Sequence, residues 1–387
     1  METYGRYALR HLPEFLGLAI AVWIQFQLAS WAAQTETGRR SHFLRRAAWG
    51  AAAVLAAACV FAVLAHFQVF AALIPHWPVL QWVRGAALAW ALSSLVAFVL
   101  IAMWRRVRVF SPERRGFIRA AGSLAVAAPF GAVAYGTLVQ RSRFTVREID
   151  IHVANLPRDL NGIRITHISD IHLSPFLSEA ELARAVSMAN EGKSHLVAVT
   201  GDLITAEGDP LHACLRQLAR LRSEAGTFGC LGNHEVYARC QNEAEAAGRR
   251  LGIDFLRYRN RVLRFGAARL NIGGVDWRRG PAFVPHGEKL IAPGAFNLLL
   301  CHNPNGFDSA AAQGWNLTLS GHTHGGQISV DIFDQSLNPA RFFTRYVYGL
   351  YSKGPSSMYV TRGIGTVGIP ARLGAPPEIA FIRLCAT

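Results

Sequence analysis

Lysine is missing from the first 145 residues, and only four acidic side chains (Glu2, Glu14, Glu36 and Glu113) occur there. Fifteen arginines share that stretch, so it holds eleven of the chain's fifteen net positive charges. Charged residues are scarce overall, at 17% of 387 residues, while hydrophobic types make up 51%. The arginines cluster between apolar runs, not along one soluble face. The basic balance therefore reads as membrane topology, and no nucleic-acid partner is expected. The six cysteines (Cys59, Cys214, Cys230, Cys240, Cys301 and Cys385) show no CxxC or zinc-finger spacing. That argues against a structural cysteine-zinc site, and a Cys230–Cys240 bridge has no support in the pattern. There is no internal repeat and no low-complexity tract.

What is present begins with four apolar stretches, at 14–33, 47–66, 80–104 and 120–139. Each is near the ~20 residues that a spanning helix needs. The second and third are the clearest. The first carries Gln25 and Gln27, and the fourth carries Pro129. Arg39, Arg40, Arg45 and Arg46 lie between the first pair, and Arg105, Arg106, Arg108, Arg114, Arg115 and Arg119 between the last pair. The intervening loop, 67–78, has no Lys or Arg. Positive-inside places both basic loops in the cytoplasm and everything after Gln140 on the far side. Arg114-Arg115 before an apolar run resembles a twin-arginine export signal and reads equally as two more topogenic arginines. Ala132-Val133-Ala134 has the composition of a cleavage site, but retention in the membrane is the favoured reading. The expected organisation is a membrane domain over 1–140 and a globular domain over 141–387.

In the globular part, strands are expected at Phe144–Val153, 162–168, His195–Thr200, Thr227–Leu231, Phe296–Cys301, Asn316–Leu319, Met358–Thr361 and Ile379–Leu384. Helices are expected at Glu179–Asn190, Leu211–Leu221 and Asn242–Leu251. Shorter strands fall near 254–256, 262–265 and 270–275. Helices and strands alternate early and strands dominate late, which predicts an α/β sandwich of two sheets with helices outside.

Polar residues recur where apolar strands stop. They are Ser169-Asp170-Ile171-His172, Gly201-Asp202, Gly232-Asn233-His234-Glu235, Cys301-His302-Asn303-Pro304 and Gly321-His322-Thr323-His324. Open α/β sheets place their sites at such strand ends. In an extended segment His322 and His324 would point the same way. Two carboxylates, one amide and four histidines, with His234 to spare, suit Mn, Zn or Fe. Seven donors exceed what one ion takes, so two ions are expected, with a carboxylate between them.

These five motifs, in this order, resemble the signatures of the calcineurin-like metallophosphoesterases. The resemblance covers about 145–387 and is greatest to the membrane-anchored or exported bacterial branch. That branch is similar also in Gly325-Gly326-Gln327, Tyr348-Gly349-Leu350-Tyr351, Arg362-Gly363-Ile364-Gly365 and Pro376-Pro377-Glu378. The resemblance implies a four-layer αββα sandwich after a transmembrane helical bundle. It also implies a first metal held by Asp170, His172 and His324, a second held by Asn233, His302 and His322, and Asp202 bridging them. His234 resembles the family histidine that contacts phosphate and protonates the leaving group. Thr205, Ser194-His195 and Asn305 stand where the family often has other residues, which puts substrate preference in doubt but not metal binding.

Other residues read more blandly. His167 is expected to pack beside the site. Asp276 and Arg362 are weaker candidates for the cleft, and His152, His195, His212 and His286 for surface positions. Trp277, Arg278, Arg279 and the aromatic run Phe342–Tyr351 would suit a lipid-facing rim or ordinary packing. The function expected is hydrolysis of a phosphodiester or pyrophosphate in an envelope lipid or cell-wall component, by a multi-pass inner-membrane enzyme with an extracytoplasmic site. A phosphomonoesterase and a non-catalytic membrane scaffold are the alternatives.

Overall fold

A computed structural model describes residues 2–35, 39–64, 77–106, 112–278, 284–332 and 335–387. Residues 67–76 of the loop without Lys or Arg, Arg108 and Arg279 lie outside the described residues, as do the side chains of Arg114, Arg115 and Arg119. The chain divides into two compact units, Met1–Gly136 with Gly368–Pro370, and Thr137–Val367 with Ala371–Thr387.

The first unit is helical: α1 (Glu2–Gln34), α2 (His42–Leu64), α3 (Pro78–Trp104) and α4 (Pro112–Leu138). Each includes or enters a segment long and apolar enough to cross a membrane: Leu12–Gln34, His42–Leu64, Pro78–Trp104 and Ala120–Ser142. Small side chains let the helices approach. On α2, Ala52, Ala56, Cys59 and Ala62 form a buried stripe at helical spacing. Trp90 donates to Gln25 Oε1 at 2.9 Å, so the polar residue inside the first run has a partner. Large apolar side chains face outward, Phe43 and Leu124 among them. A lipid environment removes the penalty that water would impose on them.

The second unit holds two six-stranded sheets among its described residues. One has the order β1 (Thr145–Val153), β14 (Glu378–Ala386), β2 (Arg164–Ile168), β3 (Leu196–Thr200), β4 (Thr227–Cys230), β5 (Ile253–Phe255). The other runs β12 (Gly349–Lys353), β13 (Ser356–Val360), β9 (Leu317–Ser320), β8 (Phe296–Cys301), β7 (Ala268–Val275), β6 (Arg259–Phe265). A separate pair, β10 (Val330–Ile332) with β11 (Gln335–Leu337), is antiparallel. Alternation fills the space between the sheets: Ile165, Ala198 and Phe228 from the first meet Leu270, Leu298, Leu300 and Leu319 from the second. The opposite face of the first sheet, with Val197 and Val199, packs on α5 (Glu179–Glu191), α6 (Leu211–Leu218) and α8 (Gln241–Arg250). Between them in sequence lies the one-turn α7 (Asn233–Tyr237). Leu299 and Cys301 of the second sheet, with Trp315 from the turn before β9, pack on Ala310 of α9 (Phe307–Gln313). The layers are therefore α, β, β and α, preceded by four helices of spanning character.

The start of α5 follows from sequence. Ser178 and Glu181 form a reciprocal capping box. The helix expected to reach Leu221 ends at Leu218, where Leu221 N–H donates back to the Leu218 carbonyl in a tight turn. All six cysteines are free thiols.

What positions the site is the parallel register. β2, β3 and β4 run side by side with Ile168 opposite Val199 and Thr200 opposite Cys230. In the other sheet Leu300 lies opposite Leu319. The C-terminal ends thus finish nearly level, and five loops meet at one rim.

Candidate metal centre

Each strand end delivers its polar residues to the same place. Asp170 and His172 leave β2, Asp202 leaves β3, Asn233 and His234 begin α7 after β4, His302 leaves β8, and His322 and His324 leave β9. Their donor atoms form three overlapping groups, each within 4.8 Å: Asp170, His172 and His324; His172, Asp202 and His234; and Asp202, His302 and His322. Asp170 Oδ1 lies 3.4 Å from His324 Nε2, and Asp202 Oδ2 lies 3.5 Å from His172 Nε2 and 3.1 Å from His302 Nε2. Asn233 Oδ1 is 3.2 Å from His302 Nε2, which is also 3.2 Å from His322 Nδ1.

The backbone is bent to achieve this. Asp170, His172, Asp202, His322 and His324 all have φ between 48° and 73°. Non-glycine residues rarely adopt that region, and such strain gathers at functional sites. It also corrects the extended reading of the histidine pair. β9 ends at Ser320, Thr323 is helical, and His322 and His324 are left-handed, so the two rings do not simply share a strand face. His322 turns to His302, with ring centroids 5.0 Å apart, and His324 stacks on His172 at 4.9 Å.

Buried hydrogen bonds hold the carboxylates still. His322 N–H donates to Asp170 Oδ1 and Oδ2 at 2.9 and 3.0 Å, and His234 N–H donates to Asp202 Oδ1 at 2.9 Å. Glu235, itself buried, accepts the amide hydrogens of Asp202, Leu203 and Gly232. No side chain fits at two glycines: a Cβ on Gly232 would sit 2.1 Å from Asp202 Oδ1, and one on Gly321 would sit 2.1 Å from Asp170 Oδ2. The imidazoles are oriented too. His302 Nδ1 donates across the two sheets to the Thr200 carbonyl at 2.6 Å. His234 Nδ1 donates to the Thr205 carbonyl at 2.6 Å, and His172 Nδ1 lies 3.2 Å from Thr205 Oγ1. Thr205, one of the positions that depart from the family's pattern, therefore serves two of the histidines, one through its carbonyl and one through its hydroxyl.

Sequence reasoning missed Arg372 altogether. It is fully buried and donates to the carbonyls of His324, Arg362, Gly365 and Ala375, with Nη2 3.3 Å from His324 Nδ1. It sits 48 residues after His324 with no motif around it, so nothing local announces the contact. Glu235 and Glu378 were visible only as parts of longer motifs. Glu378 is buried and accepts from Tyr359 Oη at 2.6 Å and Thr361 Oγ1 at 3.2 Å.

The electrostatics suit metal ligation. Burial, then His234, holds the His172 pKa well below the ordinary imidazole range. Burial, then His172 and Arg372, does the same to His324. Burial, then His302, lowers His322 to about 4. Neutral imidazoles with free lone pairs result, which is the form that binds metal. Burial also opposes charge on His302, but Asp202 and Asp170 override it and push it up to about 10. Burial likewise opposes ionisation of Asp202, and His302, His234 and His172 overcome that and hold it well below the usual carboxylate range. A charged pair is thus buried where a cation could replace the proton. His172 Nε2 is buried without a hydrogen bond, as a ligand atom waiting for a cation would be. With its nitrogen and oxygen donors, the set fits divalent transition ions.

The remaining candidates fall outside this cluster. His167 is buried in β2, 2.8 Å from Thr200 Oγ1. Asp276 pairs with Arg257 at 2.7 Å. Arg362 lies over the Tyr348 ring at 4.3 Å, beside Gly325. His195 Nδ1 accepts from Arg164 N–H, while His212 and His286 approach Glu243 and Glu288, and His152 is exposed.

Comparison with known proteins follows the same lines. Residues 163–326 match the model of the calcineurin-like phosphoesterases. A Danio rerio transmembrane protein with metallophosphoesterase domain is 31% identical over 271 residues, covering 65% of this chain and 59% of its own length, so the chain spans less than two thirds of that relative. A Bos taurus protein of the same name is 32% identical over 311 residues, covering 75% of this chain and 68% of its own. The Bacillus subtilis metallophosphoesterase YkuE is 29% identical over 294 residues, covering 71% and 98%.

Proposed function

Because the chain belongs to the calcineurin-like phosphoesterases, we propose that it is a membrane-anchored, two-metal hydrolase of a phosphodiester or pyrophosphate bond. The observation that carries this reading is the overlap of the three donor groups, with Asp202 belonging to two of them. Asp170, His172 and His324 would hold one divalent ion, and Asn233, His302 and His322 the other. Asp202 would face both. Mn, Zn and Fe all suit these donors. When bound, the ions supply Lewis acidity, neutralising phosphoryl charge and lowering the pKa of the attacking water.

The chain's own residues do the rest. Glu235 and the amides of His322 and His234 fix the two carboxylates, so no reorganisation is needed when charge develops. His234 donates through Nδ1 to Thr205, which leaves Nε2 for the substrate. Protonated there, it would give its proton to the departing oxygen.

Four helices of spanning length make an anchored protein, and a lipid or cell-wall phosphate of the envelope is the substrate class that an anchored site serves. By the arginine distribution the globular unit lies outside the cytoplasm, at the inner membrane. Full-length protein in detergent, loaded with Mn²⁺, should hydrolyse bis(p-nitrophenyl) phosphate, and Asn233→Ala or His322→Ala should abolish this. A wild type that takes up no metal and turns over no substrate would overturn the reading. A C-terminal reporter active only in the cytoplasm would reverse the topology.

A further inference from the structure

Two adjacent phenylalanines stand almost free of the protein: Phe342 is 90% exposed and Phe343 is 85%. They end a 3-10 turn, Pro339–Phe342, that Asn338 caps through the Ala340 amide at 3.0 Å. Exposing two neighbouring aromatic rings to water is costly, so something apolar is expected to cover them. Arg341 and Arg345 flank the pair, and both are exposed. Arg345, with Lys353, is matched by Asp308, whereas Arg341 makes no ion pair among the described residues. A protruding aromatic tip beside a spare cation is the composition that suits a bilayer interface, where rings enter the acyl boundary and cations meet anionic headgroups.

The turn is fastened to the metal centre. Asn338 Nδ2 donates to the Gly325 carbonyl at 2.9 Å, one residue after His324, and its Oδ1 would collide with any Cβ on Gly326. Thr344 Oγ1 donates to Asn305 Oδ1 at 2.6 Å, three residues after His302. Thr323, between the two histidines, donates to the Val347 carbonyl. Whatever covers the phenylalanines is therefore held beside the strand ends that carry His302, His322 and His324. By sequence the globular unit follows directly on a segment of spanning character, which ends at Ser142 while β1 begins at Thr145.

We propose that the 338–346 turn docks into the membrane surface, with Phe342 and Phe343 inserted among lipids and Arg341 on anionic headgroups, so that the metal centre meets substrates held in the bilayer. The statement about substrates rests on the phosphoesterase reading, but the docking does not. The test uses full-length protein reconstituted in vesicles of phosphatidylethanolamine and phosphatidylglycerol, with the photo-crosslinker p-benzoylphenylalanine at position 342 or, for comparison, at the exposed position 262. Light should give phospholipid adducts at 342 well above those at 262. Equal labelling at both positions, or adducts only to another polypeptide, would overturn the docking.

A second arm compares Phe342→Ser/Phe343→Ser with wild type on a phosphodiester lipid in the vesicles and on bis(p-nitrophenyl) phosphate. The lipid rate should fall about tenfold with the soluble rate unchanged. Equal losses on both would mean that the pair only supports the fold, and would count against the proposal. Lipid adducts at 342 without turnover of either substrate by wild type would support the docking and count against the phosphoesterase reading alone.

Discussion

Glu235 holds Asp202 in place without touching its side chain. Glu235 Oε2 accepts the Asp202 amide at 3.0 Å and the Gly232 amide at 2.7 Å, while Oε1 accepts the Leu203 amide at 2.6 Å. Three donors from two strand ends converge on one buried carboxylate, which ties the loop bearing Asp202 to the loop bearing Asn233. In Glu235→Gln, one oxygen becomes an NH₂ group that cannot accept, so at least one buried amide loses its partner. The expected cost is about 1–3 kcal/mol of stability, together with weaker metal retention. Chemical denaturation and metal analysis of the purified variant check this. Unchanged values for both would show that the clamp is dispensable.

Arg372→Met tests the clamp on the other side. The substitution keeps an apolar stem of similar length but leaves the carbonyls of His324, Arg362, Gly365 and Ala375 short of a donor. Stability should fall by about 3 kcal/mol, and His324 should lose its fixed position. Thermal unfolding with and without added Mn²⁺ is the measurement. The shift produced by Mn²⁺ should be smaller than in wild type.

The strand ends, their order and the polar residues that they bring together could be read from the sequence because each motif is a run of adjacent polar residues after an apolar strand. The layered fold followed from the same alternation. What stayed hidden depends on distance or dihedral angle. Arg372 reaches His324 across 48 residues. Glu235 works through backbone amides, which every residue possesses. The left-handed conformations of Asp170, His172, Asp202, His322 and His324 occur at residues that ordinarily avoid them, so an extended reading of Gly321–His324 was natural and incorrect.

A pH effect should arise at His167, which is buried beside the site and is not one of the proposed ligands. Burial pushes its pKa from 6.5 down to about 3. The unfolded chain therefore binds this proton in a window where the folded chain does not. Its contribution to stability is intact above about pH 6.5 and is lost progressively as pH falls towards 3. His167→Leu removes the titration and adds a pH-independent cost at Thr200. Between pH 7 and pH 5 the stability of metal-free wild type relative to the variant should drop by on the order of 2 kcal/mol. Urea midpoints of both proteins at the two pH values check this, and parallel curves would contradict it.

Two ions are proposed to share Asp202, and they can be counted in purified full-length protein. Elemental analysis after loading with Mn²⁺ and desalting should find about two ions per chain in wild type. It should find about one in His324→Ala and about one in His302→Ala, each from the opposite side of Asp202. A wild-type content of one ion or none, or loss of both ions in each single variant while the fold is intact, would rule out a shared pair.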